Sequence, residues 1–274
     1  MFISIFEHVL RGYRWNLLMD SSGKKLTTYI TTNVMIVSYF FALFIPRFND
    51  IARCYLISKT NNIKISTSLG TVFSERIFDL ISLLILSAIF ILIEFDLFYG
   101  FIENYVLSNI EFNTTTYLLI FGSLIVLFFI LRYFSKKSSF ISSNLNEFKL
   151  GVLTIKENYK NKGFLISTFL LWLIYFLMGY VIFFSFTETT DLGVNAGIAV
   201  LVAGSIGMIV PVNAGIGAYH FLVASILLSY NLDYESGLFF ATLLHTSQIV
   251  CLAILGIISS IILFFKIKSN NEYS

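Results

Sequence analysis

Apolar residues run through this chain in blocks separated by short polar stretches, and several blocks reach the length of about 20 mostly apolar residues that a membrane-spanning helix needs. They are 27 to 46, 77 to 94 (lengthened by the less apolar 66 to 76), 116 to 134, 163 to 186 and 236 to 265. A further apolar region, 195 to 230, is long enough to span but is cut by Pro211 and a cluster of glycines, so it predicts a broken, re-entrant pair. The first twenty residues mix apolar positions with Glu7, Arg11 and Arg14, which predicts an amphipathic interfacial helix and argues against a cleavable signal.

Composition agrees with that pattern. Of 274 residues, 57% are hydrophobic and 12% charged, whereas soluble domains carry roughly a quarter charged residues. Too little polar surface exists to cover a soluble core of this size, so the chain reads as an all-α integral membrane protein. Phenylalanine dominates the aromatic residues, as lipid-facing packing requires. Cys54 and Cys251 lie far apart, with neither metal-like nor redox-like spacing, and read as small buried apolar residues.

The charges sort by sign. Segments 11 to 25, 47 to 64, 132 to 162 and 266 to 268, together with Arg76, hold all eighteen lysines and arginines. Segments 94 to 115, 187 to 194 and 231 to 235 are acidic and contain no basic residue. The positive-inside rule makes the first set cytoplasmic and the second external, with a cytoplasmic C-terminus in a bacterial-type inner (plasma) membrane. The basic loop 135 to 162 reads as a solvated face that attracts anionic headgroups.

Each span must change side and each hairpin must return. Blocks 77 to 94, 116 to 134, 163 to 186 and 236 to 265 alternate correctly. Region 195 to 230 then enters and leaves outside, and region 27 to 60, broken at Pro46, enters and leaves inside. Block 27 to 46 is also long enough to cross outright, but that would place Arg14, Lys24 and Lys25 outside. The expected architecture is a polytopic helical bundle with two proline-broken re-entrant hairpins in an inverted repeat. Its parts are an interfacial helix (1 to 26), a first repeat (27 to 134), the basic loop (135 to 162), a linking helix and loop (163 to 194), a second repeat (195 to 268) and a tail (269 to 274).

Two constellations could carry chemistry. The first is Pro46, Arg47, Asp50 and Arg53 with Glu75, Arg76 and Asp79. On a helix Glu75 and Asp79 share a face, and Arg76 can pair with Asp79. Ionisable groups at membrane depth cost about 2.5 to 3.5 kcal/mol each, so they need partners or a task. Three arginines against three carboxylates form a self-neutralising lock, or leave one guanidinium free for an anionic headgroup, which arginine binds as a bidentate fork. The residues admit both readings. The second constellation, GSIGMIVPVNAGIGAYH at 204 to 220, contains Asn213, Gly215, Gly217 and His220. Its glycines permit positive φ, and a helix resuming at 217 points its amides at the break, an arrangement suited to phosphate. Glycines equally serve tight packing between membrane helices. His245 and Gln248, three apart, occupy in the second half the place of Arg76 and Asp79 in the first. The histidines lack the spacing of a metal site, and no cofactor is expected.

The runs RGYRWNLLM, FIPRFNDIARCYLISK, TSLGTVFSERIFDLISL and VPVNAGIGAYH, in this order, resemble the membrane region of the lysylphosphatidylglycerol synthase family, often called flippase-like domain proteins. Pro46, Asp50 and Arg53 fill that family's Pro-x-Arg-x-Gly-Glu-x-x-Arg pattern, with Asn49 and Asp50 in place of Gly-Glu. Glu75, Arg76 and Asp79 match its Glu-Arg-x-x-Asp element. Pro211, Gly215 and Gly217 match its later proline–glycine element, where His220 stands at a position that many members give to Glu. The resemblance implies handling of lipids with polar headgroups. The soluble domain that makes the lipid in the best-known members has no counterpart in this sequence, nor does the helix that commonly precedes the Arg-Trp motif, so synthesis of the lipid is not expected.

The expectation is therefore a lipid translocase, not an enzyme, holding a phospholipid or other lipid-linked substrate, with no nucleic acid partner. An integral transferase, or an accessory subunit seated beside a synthase or glycosyltransferase, is the alternative. Self-association is compatible with either.

Overall fold

The computed structural model describes residues 2–101, 139–210 and 212–272, and among these the regular structure is entirely helical. Helix α1 is Phe2–Ser21, α2 Thr28–Ala42, α3 Asn49–Asn61, α4 Ile65–Ile93 and α5 Phe95–Phe101. After the undescribed stretch come α6 Ser139–Asn158, α7 Lys162–Ile182, α8 Val194–Gly207, α9 Ala218–Leu228 and α10 Tyr234–Glu272. The expected span 116 to 134 and the break residue Pro211 lie outside the described residues.

Local chemistry sets the ends. Thr27 Oγ1 accepts from the amide of Ile30 to start α2, and Asn161 Oδ1 accepts from Gly163 and Phe164 to start α7. Asn62 stops α3 in a left-handed conformation, φ 53°. Pro46 stands in the turn between α2 and α3. The apolar block at 27 to 46 thus yields a helix of only 15 residues, about 22 Å long, too short for a hydrocarbon core of about 30 Å. Region 195 to 230 is likewise broken: α8 ends at Gly207, a single 3-10 turn occupies Asn213–Gly215, and α9 resumes at Ala218. Among the described residues, three segments are long and apolar enough to cross a membrane: Ile65–Ile93, Lys162–Ser185 and Tyr234–Lys268.

The two helix–break–helix units pack in a matched way. Helix α2 lies on α3 and α8 on α9; α3 lies on α4 and α9 on α10. Each long helix also crosses to the other half, α4 packing on α8 and α10 on α2. Gly256 of α10 makes the second crossing possible, because a Cβ there would fall 2.5 Å from the Phe40 ring. Each half has its own core, one around Trp15, Met35, Ile57 and Phe164, the other around Phe183, Val200, Val223 and Phe240.

Two expectations are corrected. Helix α1 does not rest its polar side at an interface. Ser4, Glu7, His8, Arg14 and Trp15 are buried against the bundle, while Ile5, Phe6, Val9 and Tyr13 are exposed. This helix is polar inside and apolar outside, as a membrane solvent favours. The stretch 135 to 162, expected as a loop, carries α6 over most of its length. Helix α6 lies on α4 where Gly70 meets Gly151, each so close that a Cβ on it would fall within 2.8 Å of the other's Cα.

Candidate functional site

Helix α4 enters the bundle with Glu75, Arg76 and Asp79 on neighbouring turns, α3 contributes Asp50 and Arg53 from its first turns, and α1 contributes Arg14. Their side chains close a ring of alternating charge. Arg14 donates to Glu75 at 2.9 Å and forms an ion pair with Asp79 at 2.7 Å. Arg53 bonds Glu75 at 2.6 Å and Asp50 at 2.9 Å. Arg76 completes the circuit, reaching Asp50 at 2.8 Å and Asp79 at 3.4 Å. The Arg76–Asp50 contact is forked, since Arg76 Nε also donates to Asp50 Oδ2 at 3.2 Å. Three guanidiniums and three carboxylates cancel, so the ring places no net charge in the apolar interior.

One half of the ring is sealed and the other open. The side chains of Arg14, Arg53 and Glu75 are each 1% exposed, whereas those of Arg76, Asp50 and Asp79 are 40%, 32% and 25% exposed. Arg53 is capped by the Trp15 ring at 5.2 Å, and Trp15 Nε1 in turn donates to Thr71 Oγ1. The open half forms one wall of a cleft of about 400 Å³. Arg47, Arg11 and Glu7 also line it, with Trp172, Tyr175 and Phe176 of α7 and Gly204 and Met208 of the second half.

Arg11 is held rather than free. It pairs with Glu7 at 2.6 Å, donates to the Tyr175 hydroxyl at 2.7 Å and to that of Tyr39, and lies 5.3 Å from the Tyr175 ring centroid and 4.7 Å from that of Tyr39. Arg47 differs. It sits in the turn after Pro46 with φ 60°, is exposed, and makes no ion pair among the described residues. Its guanidinium donates to the carbonyl of Ile209, just past the end of α8. Ile209 lies beyond the Met208 cap of α8, in the break itself, where no regular helix supplies its carbonyl with a donor. The two broken segments therefore touch.

Of the residues singled out by sequence, Arg47, Asp50, Arg76, Asp79 and Gln248 line the cleft. Arg53 and Glu75 stand behind it in the sealed half of the ring. Asn213, Gly215, Gly217, His220 and His245 lie at the second break, without lining the cleft themselves. Gly215 and Gly217 take the positive φ expected of them, 77° and 89°. His220 Nδ1 accepts from the Gly217 amide at 3.3 Å, the N3-to-N-cap half of a capping box at the start of α9, while Gly217 has no side chain to supply the other half. The imidazoles of His220 and His245 are 5.0 Å apart between centroids, and Tyr219, 4.9 Å from His245, stands between that pair and the cleft it lines. Among the described residues no three His, Cys, Asp or Glu side chains converge as a metal site.

Sequence reasoning missed Glu7, Arg11 and Arg14, and with them the aromatic wall of α7. The signal exists: positions 7, 11 and 14 fall on one helical face of an otherwise apolar helix.

The comparisons with known proteins agree with this membrane architecture. The family described as the lysylphosphatidylglycerol synthase TM region matches residues 1–256. The UPF0104 membrane protein MJ1078 of Methanocaldococcus jannaschii is 30% identical over 204 residues, covering 73% of this chain and 82% of that protein. No solved structure matches the chain. With the family match running through both broken segments and the charged ring between them, the chain belongs to the lysylphosphatidylglycerol synthase TM-region family of membrane proteins.

Proposed function

We propose that this protein moves a lipid with an anionic or otherwise polar headgroup across the bilayer, and that the cleft between its two halves receives the headgroup. The observation that carries this reading is Arg47. It lines the cleft, has no carboxylate partner among the described residues and is tied only to a backbone carbonyl of the opposite break. A phosphate outcompetes a neutral carbonyl for a guanidinium, since bonds between two charged groups are roughly twice as strong as neutral ones. Arg76 and Arg11 line the same cleft, and Asp50, Asp79 and Glu7 fix their orientation or meet a cationic substituent.

In this reading the two helix–break–helix units are re-entrant hairpins of an inverted repeat, and their breaks meet near the bilayer midplane. The matched packing of α2, α3 and α4 with α8, α9 and α10 supports it, as do the proline-to-charge spacings, 30 positions from Pro46 to Arg76 and 34 from Pro211 to His245. Helix α1 is apolar on its exposed side, and in this reading Lys24 and Lys25 just after it share the cytoplasmic side with Lys59 and Lys156 in the last turns of α3 and α6. The family's soluble synthase chemistry is not part of the proposal.

The sealed half of the ring favours a second role for part of the constellation. Arg53 and Glu75 are locked together and buried, so they hold the fold whether or not lipid passes. An accessory protein seated beside a synthase or glycosyltransferase needs only that lock. Vesicles of fluorescent phosphatidylglycerol separate the two roles. Wild-type protein is expected to bring inner-leaflet lipid within reach of an external quencher, and Arg47→Ala and Arg76→Ala to slow this strongly while remaining folded. A wild-type rate in both variants rejects the headgroup site, and no movement with wild type rejects the translocase.

A further inference from the structure

The cleft continues into a second, smaller hollow. A notch of about 90 Å³ opens between Ile3 of α1, Val181 and Ile182 of α7 and Cys251 of α10. Met178, Leu244 and Gln248 line both spaces, so the charged cleft and the apolar notch are contiguous. Val181 and Ser247 are exposed at the notch, which therefore opens outward, and Ile254, one turn beyond Cys251 on α10, is exposed as well.

The order of chemistry along this path is charge, then the Gln248 amide, then a mostly apolar lining of Ile3, Val181, Ile182 and Cys251 in which Ser4 and Ser247 are the hydroxyls. A headgroup does not fit the notch, because none of its lining residues is charged and an ionised group there would lack a counter-charge. An acyl chain does not fit the charged end. The Gln248 amide lies at the junction and can donate to an ester carbonyl, the group that joins head to chain in a phospholipid.

We infer that the notch seats the first methylenes of one phospholipid acyl chain, with Gln248 on its ester, and that the lipid passes laterally between α1, α7 and α10. This rests on the headgroup reading of the cleft and adds the side from which the lipid enters. The remainder of the chain lies along Val181 and Ile254, in continuity with the surrounding bilayer.

The test uses the full chain in phosphatidylglycerol vesicles doped with phosphatidylglycerol that carries a diazirine on the early methylenes of one chain. After irradiation, adducts mapped by mass spectrometry are expected at Val181, Ile182 and Cys251, several-fold above those at Leu84 and Ile85, which are exposed on α4 but line neither space. Equal labelling of the two faces overturns the inference. So does an unlabelled Cys251, the result if a stretch of polypeptide fills the notch instead. Ser247→Trp, placed at an exposed position, is expected to block the notch and remove the Cys251 adduct; an undiminished adduct also overturns the inference. Arg47→Ala is expected to slow transport strongly and, by weakening headgroup capture, to lower the Cys251 adduct; an unchanged adduct would separate the notch from the headgroup cleft and overturn the inference. Focused adducts in a wild-type protein that moves no lipid would support the notch while rejecting the translocase, so the two proposals fail separately.

Discussion

Arg47 of the first broken segment donates to the carbonyl of Ile209 in the second, and this bond joins the two interruptions directly across the cleft. It ties a cation to a weak acceptor, an arrangement that is easily exchanged. Arg47→Ala should therefore leave thermal stability within about 0.5 kcal/mol, as exposed substitutions generally do. Loss of one charged hydrogen bond, about 1.5 to 3 kcal/mol, should weaken headgroup capture by roughly tenfold to a hundredfold. Parallel unfolding curves and transport rates check both halves of the expectation. Arg47→Lys should recover only part of the rate, because an ammonium cannot supply the fork.

His220 performs the job that a glutamate at the same place would perform. As the third residue of α9 it accepts the amide hydrogen of Gly217, the residue that caps the helix. His220→Glu should keep that bond and the stability, whereas His220→Ala should cost about 1 kcal/mol. Comparing the melting temperatures of the two variants distinguishes a capping role from one that needs imidazole. Matching losses in both would show that the ring itself matters, through its contact with His245.

The long helices α4, α7 and α10 are legible in the sequence because lipid-facing and buried positions are both apolar, so hydropathy alone marks them. The turn at Pro46 is legible too, since proline in an apolar run has few other uses. Helix α1 is not. A polar stripe on an apolar helix reads the same whether it meets headgroups or carboxylates, and its actual partners, Glu75 and Asp79, lie about 60 residues further on. For the same reason the ring is half legible: the pairing of Arg76 with Asp79 is local, while the arginine that closes the circuit is Arg14 and not Arg47. The α6–α4 contact rests on two glycines, which hydropathy does not register.

That glycine contact makes a direct prediction. A Cβ on Gly151 would lie 2.5 Å from the Thr67 carbonyl, and the Gly151 carbonyl accepts from Ser74 Oγ at 3.0 Å. Gly151→Ala must push α6 away from α4 and strain or break that bond. Overpacking of this kind costs about 1 to 3 kcal/mol. Limited proteolysis should cut the α6–α7 connection faster in the variant, at unchanged content of the long helices.

The outer end of the same contact responds to pH. Lys64 Nζ lies 2.7 Å from Glu147 Oε1, and Thr67 Oγ1 donates to Oε2 at 2.7 Å. These hydrogen bonds hold the Glu147 carboxyl below its ordinary range. Because the folded value is depressed, the contribution is complete above the unfolded value of about 4.3 and is lost as pH falls through the folded value. Protection of α6 from proteolysis should decline over that acidic window in wild type. Glu147→Gln should begin lower and show less of this decline.

The ring itself yields the sharpest separation between holding the fold and holding a ligand. Removing one member of a buried pair strands its partner, which costs about 3 to 5 kcal/mol. Glu75→Leu leaves Arg14 and Arg53 facing each other without the carboxylate that bridges them, so it should lower the yield of folded protein before any transport is measured. Arg53→Met alone strands Glu75 less severely, since Arg14 remains at 2.9 Å. The double variant Arg53→Met, Glu75→Leu still leaves Arg14 with Asp79 at 2.7 Å. It should be more stable than Glu75→Leu alone, giving a coupling energy of at least about 1 kcal/mol in a double-mutant cycle. Additive losses would mean that the two side chains do not act as a pair. The open residue Arg76 should behave in the opposite way, losing transport more than stability, because its exposed side chain can be replaced without burying an unpaired charge.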